Sequence, residues 1–183
     1  MSKPICTVMV GLPGLGKSTL VTVDELLYKK IDLPLFVYST DRYIEYEAAI
    51  EGKTYDDCFE TLIKDATSAM NSSLDFSIKN RQDIIWDQTN LGVGKRKKII
   101  NRMKQAGYQV RCNCIVPPEA GWISDQKVWR RRLLNREGKT IPQNILTNMI
   151  KSFTLPTAEE GFDSITFYNM YGALTGIDYE DTE

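Results

Sequence analysis

Residues 5–19 read ICTVMVGLPGLGKST, and this stretch decides the fold. Its first six residues are an apolar, β-rich run. The next eight, Gly11 to Ser18, satisfy G-x-x-x-x-G-K-[ST], and a helical pattern begins at Lys17. Strand, glycine loop and helix in that order form an anion-binding device. Gly11, Gly14 and Gly16 allow backbone conformations closed to residues with a Cβ, so successive N–H groups can surround a phosphate at a helix N-terminus. Lys17 would reach the β- and γ-phosphates of a nucleotide, and the Ser18 hydroxyl would coordinate Mg²⁺, with Thr19 beside it.

Outward from this loop, short β-rich runs alternate with longer amphipathic ones. That is the pattern of an α/β domain with a parallel sheet. Strands are expected over Ile5–Val10, Leu35–Ser39, Asp83–Trp86, Gln109–Val116 and Ser164–Tyr168, most of them buried on both faces. Helices are expected over Lys17–Lys30, Tyr55–Ser77, Gly94–Ala106, Asp125–Asn135 and Pro142–Phe153, the last opening on a proline suited to a first helical position. The expected architecture is thus a sheet of about five parallel strands flanked by helices, in one domain over residues 1–183. The acidic segment 170–183 reads as a frayed tail.

The composition supports one soluble domain. The 183 residues are 42% hydrophobic and 26% charged, and 23 Lys and Arg against 24 Asp and Glu leave a formal net charge of −1. A strongly basic nucleic-acid-binding surface is excluded, so any such contact must use a local patch. Histidine is absent, which removes imidazole catalysis and His-ligated metals. The four cysteines form no C-x-x-C pair and read as reduced core thiols. With no signal peptide and no long apolar span, the expected location is cytoplasmic, without membrane association.

Function is decided by the loops after the other strands. Asp41 follows the second strand, close to where a γ-phosphate would lie. It reads either as a general base toward an attacking hydroxyl or as a helix N-cap. The third strand closes on Asp87-Gln88-Thr89-Asn90. Asp87 could serve Mg²⁺, or orient an acceptor together with Gln88, Thr89 and Asn90; an Asx turn capping the next helix is the alternative. Arg132 and Arg136 stand at i and i+4, on one expected helix face of a lid over about 125–141, where guanidinium groups could meet phosphoryl charge. Lys95, Arg96, Lys97, Lys98, Arg102 and Lys104 fit either a phosphate-tracking surface or a solvated helix face. Tyr43 and Tyr46 could stack on a base, while Trp86 reads as core.

Taken together, GLPGLGKST at 11–19, Asp41, DQTNL at 87–91, NREGKTIP at 135–142 and FTLPTAEEGFDSI at 153–165 resemble the kinase domain of the polynucleotide kinase family, found in phages and in eukaryotic polynucleotide kinase-phosphatases. The resemblance covers almost the whole chain. It implies a P-loop NTPase fold with an arginine lid, and ATP and Mg²⁺ as cofactors. It implies that Asp41 is the base toward a 5′-hydroxyl of DNA or RNA, with Arg132 and Arg136 on the donor phosphates. The resembled phage enzymes carry an acceptor-binding arginine where this chain has Ile44; here Arg42 adjoins the aspartate instead. A hydroxymethylated pyrimidine in DNA, a free nucleotide or a small metabolite are alternative acceptors. A nucleotide switch or hydrolase is the reading from another class.

Overall fold

The computed structural model describes residues 2–119 and 123–179. Six strands form one sheet: β1 (Ile5–Val10), β2 (Leu35–Tyr38), β3 (Asp83–Trp86), β4 (Gln109–Ile115), β5 (Ser164–Tyr168) and β6 (Leu174–Tyr179), in the spatial order β2-β3-β1-β4-β5-β6. The first five are parallel, and β6 runs antiparallel to β5. The helices are α1 (Lys17–Lys30), α2 (Thr40–Ile50), α3 (Tyr55–Lys79), α4 (Val93–Gln105), α5 (Ile123–Leu134) and α6 (Gln143–Ser152). The fold is a P-loop NTPase fold with a mostly parallel sheet. Helix α1 follows β1 directly, so its N-terminus faces the carboxyl edge of the sheet, where sites of this architecture form.

One face of the sheet carries the main core. Cys6, Val8, Val10, Ile84, Trp86, Val110, Cys112 and Cys114 pack there against Leu74 of α3 and Ile99, Ile100 and Met103 of α4. All four cysteines are buried free thiols, as expected, and Trp86 is core, stacked 4.3 Å from Tyr38. The opposite face differs from expectation. Val21 and Leu20 of α1 cover Met9 and Ile85, but Thr7, Gln109, Asn113, Ser164 and Thr166 stay half-buried and Arg111 exposed. The reason is that the chain returns after β5 as a strand instead of a second covering helix.

That strand is the second correction. Residues 174–179, expected to lie in a frayed tail, pair with β5 through a hairpin whose turn is tied by Asn169; its Oδ1 accepts from the Tyr171 and Ala173 N–H groups at 2.9 and 3.0 Å. The acidic residues 180–183 lie outside the described residues. Helix α2 is also additional to the expected set. Ile44 and Ala48, one turn apart, bury against Cys58 and Ala66 of α3 and form a separate small core. Helix α3 starts on a capping box in which Thr54 and Asp57 exchange hydrogen bonds.

Loop 87–91 is held by a buried ion pair. Arg96 of α4 is fully buried, its Nε and Nη2 donating to Glu160 at 2.7 and 2.6 Å. Its Nη1 donates to the carbonyls of Asn90, Leu91 and Thr154. One guanidinium thus joins the loop after β3 to the segment before β5.

Candidate active site at the carboxyl edge of the sheet

A cleft of about 1360 Å³ opens over the phosphate loop, between the α2–α3 pair and the segment 132–149. Pockets for one drug-sized ligand span roughly 300–1,000 Å³. This cleft has room for a nucleotide and a second substrate.

The loop is built as the motif requires. Gly11, Gly14 and Gly16 have φ of 153°, 76° and 106°. Lys17 Nζ folds back onto the carbonyls of Gly11 and Leu12, at 2.8 and 3.0 Å. Burial lowers its pKa to about 8, against the opposing pull of Asp87 and Asp41, with Arg136 and Lys139 adding to the fall. Ser18, Thr19 and Asp87 line the same cleft. Burial raises the Asp87 carboxyl above its ordinary value despite Lys17 and Arg42, so a cation near it would recover charge stabilisation. Among the described residues no three carboxylate or thiolate groups converge on one point. A Mg²⁺ ion held by Ser18 and Asp87, with water and phosphate oxygens completing its shell, fits these donors, because Mg²⁺ rarely takes an all-protein cage.

Asp41 is not the helix cap. Ser39 caps α2, its hydroxyl accepting from the Arg42 N–H, and Asp41 sits in the first turn with its carboxyl facing the cleft. Its Oδ1 accepts from the Tyr55 hydroxyl at 3.0 Å and its Oδ2 from Lys139 Nζ at 2.7 Å. Burial favours the neutral acid, but Lys139, the Tyr55 hydroxyl and Arg136 prevail and hold the carboxyl below its ordinary value. Tyr55 and Glu45 lie in no motif, and Lys139 falls within NREGKTIP at 135–142 without a role implied for it. Lys139 lies 98 residues from Asp41, a separation that no local pattern reveals.

The acceptor-side expectations divide. Gln88 and Thr89 line the cleft, Gln88 Nε2 donating to Thr40 Oγ1 at 3.4 Å. Asn90 does not: fully buried, its Nδ2 donates to the backbone carbonyls of Met9, Gln88 and Trp86, so it fastens the loop to β1. Arg42 lines the cleft but is engaged by Glu25 of α1 through two bonds of 2.7 and 3.0 Å. Ile44 is core. The six α4 cations form neither one phosphate-tracking surface nor one uniformly solvated face. Arg96 is buried, Arg102 pairs with Asp75 and Lys104 with Asp163, and Lys95 alone of the six lines the cleft.

Helix α5 rests on the phosphate loop. Trp129 Nε1 donates to the Pro13 carbonyl at 2.7 Å, and the Leu133 side chain covers Gly14. Arg132 Nη1 donates to the Met170 carbonyl at 2.7 Å, and its guanidinium lies 5.6 Å from the Tyr171 ring centroid. Helix α5 ends at Leu134, so Arg136 is not on the helix face of Arg132; it lies in the following turn and lines the cleft near Lys17 and Asp41. Among the described residues no helix is long and apolar enough to cross a membrane.

Solved structures share this architecture at low identity. A structure from the PezAT chromosomal toxin-antitoxin system of Streptococcus pneumoniae is 18% identical, with TM-score 0.59, over 97% of this chain and 72% of that one. A candidate kinase from Chloroflexus aurantiacus is 16% identical, with TM-score 0.63, over 92% and 86%. Kti12 of Chaetomium thermophilum, in complex with ADP-AlF3, is 17% identical, with TM-score 0.59, over 90% and 88%. These likenesses show a shared fold. The family match extends over residues 7–156, from β1 through the lid and α6, and the chain therefore belongs to the AAA_33 family of AAA domains.

Proposed function

We propose that the protein is an ATP-dependent phosphotransferase that moves the γ-phosphate to an alcohol, most favourably the 5′-hydroxyl of a DNA or RNA end. The observation that carries the reading is the meeting of Lys17, Asp41, Asp87 and Arg136 in one cleft, each within electrostatic reach of Lys17. In the step proposed, the acceptor oxygen bonds to the γ-phosphorus as the bond to the β,γ-bridging oxygen breaks, and ADP departs. The hydroxyl proton passes to Asp41. Lys17 and Arg136 meet charge on the phosphoryl oxygens, and Arg132 joins the loop before β6 to the donor side. Ser18 and Asp87 would hold Mg²⁺, which would supply positive charge against the donor phosphates. The nucleic-acid acceptor rests on the sequence resemblance, with Lys95 as the α4 cation in the cleft.

A small uncharged or cationic alcohol is the second reading, favoured by the acceptor wall itself. Glu45, Asp56 and Glu60 line it with Phe59, while Arg42 is already paired. A polyanion would meet repulsion there. The deciding test supplies γ-labelled ATP and Mg²⁺ with a 5′-hydroxyl oligonucleotide, a hydroxymethyluracil duplex with blocked ends, mononucleotides, or an aminoalcohol. Label on the oligonucleotide is expected. Label on the aminoalcohol instead selects the second reading, and label released only as phosphate defeats both.

A further inference from the structure

Beyond Arg136 the chain turns at Gly138, whose φ is 66°, and meets the start of α3. The fit is close: a Cβ at 138 would stand 2.7 Å from the Thr54 Cβ. The Asp56 N–H donates to the Gly138 carbonyl at 2.9 Å, and the Thr140 N–H donates to Asp56 Oδ2 at 2.8 Å. Backbone on both sides of Lys139 is therefore fixed to α3. From that anchored position its side chain, only 12% exposed, sends Nζ to Asp41 Oδ2 and Glu45 Oε1, each at 2.7 Å. The ammonium also lies 4.1 Å from the Tyr55 ring centroid, while the Tyr55 hydroxyl holds the other oxygen of Asp41.

An exposed ion pair would carry little meaning, since such pairs contribute at most about 1 kcal/mol. Here Asp41 and Glu45 are about half exposed, at 52% and 48%, and it is the cation between them that differs. The lysine is withdrawn from water, held by a fixed backbone, and shared between two carboxylates one helical turn apart. Helix α2, the first residue of α3 and the end of the lid all meet at it.

We propose that Lys139 is the positioning residue of the transfer reaction: it fixes the Asp41 carboxylate toward the acceptor hydroxyl and makes that orientation depend on docking of the lid's end against α3. The proposal rests on Asp41 being the proton acceptor. Two fixed donors, Tyr55 and Lys139, leave the carboxylate one orientation, with a lone pair on each oxygen free for a hydroxyl. In a reaction whose catalysis is chiefly placement and charge, an oriented weak base serves better than a mobile strong one. Without Lys139, Asp41 and Glu45 become two carboxylates facing each other at the cleft wall. The charged groups acting on Asp41 would then be Glu45 and Asp87, which disfavour its ionisation, and Arg136, Lys17 and Lys95, which favour it.

The test uses the full chain with Lys139→Met, which keeps length without charge, and Lys139→Arg. With the acceptor that carries label in the preceding assay, Lys139→Met is expected to lower kcat about a hundredfold, with KM for ATP within about twofold. Burial and Glu45 then act on Asp41 with less opposition, so the acid limb of the kcat/KM profile should move to higher pH. Lys139→Arg should regain at least about a third of wild-type kcat, because charge and reach persist. Should the Met variant fail to fold, Lys139→Gln takes its place. A second readout needs neither nucleotide nor acceptor: the carboxyl carbon of Asp41, followed by NMR, should titrate at higher pH in the Met or Gln variant than in wild type. An unmoved titration, or kcat within about threefold of wild type with an unmoved acid limb, overturns the proposal. A wild-type chain that labels no acceptor sinks the phosphotransferase reading, and the titration still judges Lys139 on its own.

Discussion

Two arginine-bearing segments flank the cleft and use the same side chain in opposite ways. Arg96 of α4 is sealed from water, with Glu160, the Thr154 hydroxyl and four backbone carbonyls taking its donors. The Arg136 guanidinium, in the turn after α5, makes no hydrogen bond or ion pair among the described residues and faces the cleft. A guanidinium whose donors are all occupied is scaffold. One whose donors remain open is available to a ligand with matching acceptors. Sequence alone does not separate them, since both stand in basic, helix-rich stretches.

The difference can be broken by removing each group in turn. Arg96→Met should give the largest effect, because it strands Glu160 inside the protein; a loss of about 3–5 kcal/mol is expected in urea unfolding, with the phosphate loop intact in whatever fraction stays folded. A loss below about 1 kcal/mol would mean that Glu160 finds water or protonates at little cost. Arg136→Ala should do the reverse. Stability should change by less than about 0.5 kcal/mol. Turnover should fall about a thousandfold, a scale known for arginines that meet transferring phosphoryl groups. Normal turnover in this variant would move the phosphoryl contact to Arg132.

Asp41→Asn sharpens the contrast on the acceptor side. Ser39 already caps α2, so the change removes a proton acceptor without removing a cap. Turnover about a hundredfold lower is expected, with nucleotide affinity unchanged by calorimetry. Retention of more than about a tenth of wild-type turnover would leave Asp41 a charge partner of Lys139 only.

The smallest effect concerns one proton. Lys17 has a pKa of about 8 in the nucleotide-free protein, so above that pH its amine is largely neutral. Phosphate oxygens favour the ammonium and raise its pKa on binding. Nucleotide binding at pH about 8.5 should therefore take up a fraction of a proton, and at pH about 6.5 almost none from this group. Calorimetry in buffers of different ionisation enthalpy measures it, and identical uptake at both pH values would remove Lys17 as the source.

How readable the molecule was depends on the range of its contacts. The β1–loop–α1 unit is local, so spacing and apolar pattern located it to the residue. Asp41 and Asp87 could be assigned to the cleft because each follows a strand end, whereas Arg136 reaches it from the turn after α5 and not from the expected helix face shared with Arg132. The α2 helix escaped, since Ile44 and Ala48 are a short stripe in a tyrosine- and glutamate-rich stretch. The β6 strand was hidden by acidity that belongs mostly to the residues after it. Asn90 and Arg96 were misjudged because burial is a tertiary property: the same asparagine and arginine would be ligands on a surface. Lys139 lies in a quoted segment and Tyr55 at an expected helix start, but neither carries a role in sequence, because their significance exists only where three distant segments meet.

The hydrogen bond from Trp129 to the Pro13 carbonyl makes the resting lid optically visible. Trp86 is buried and stacked on Tyr38, but its Nε1 donates to Gln88 Oε1 at 3.5 Å in the cleft wall, so its contribution is separated by a Trp129→Phe control. In a Trp122→Phe background, a change in tryptophan fluorescence on adding nucleotide would then report the indole leaving or keeping that carbonyl. Helix α5 thus carries its own reporter of whether it moves when nucleotide binds, and stopped-flow mixing would time that change against the proposed phosphoryl transfer in one cuvette.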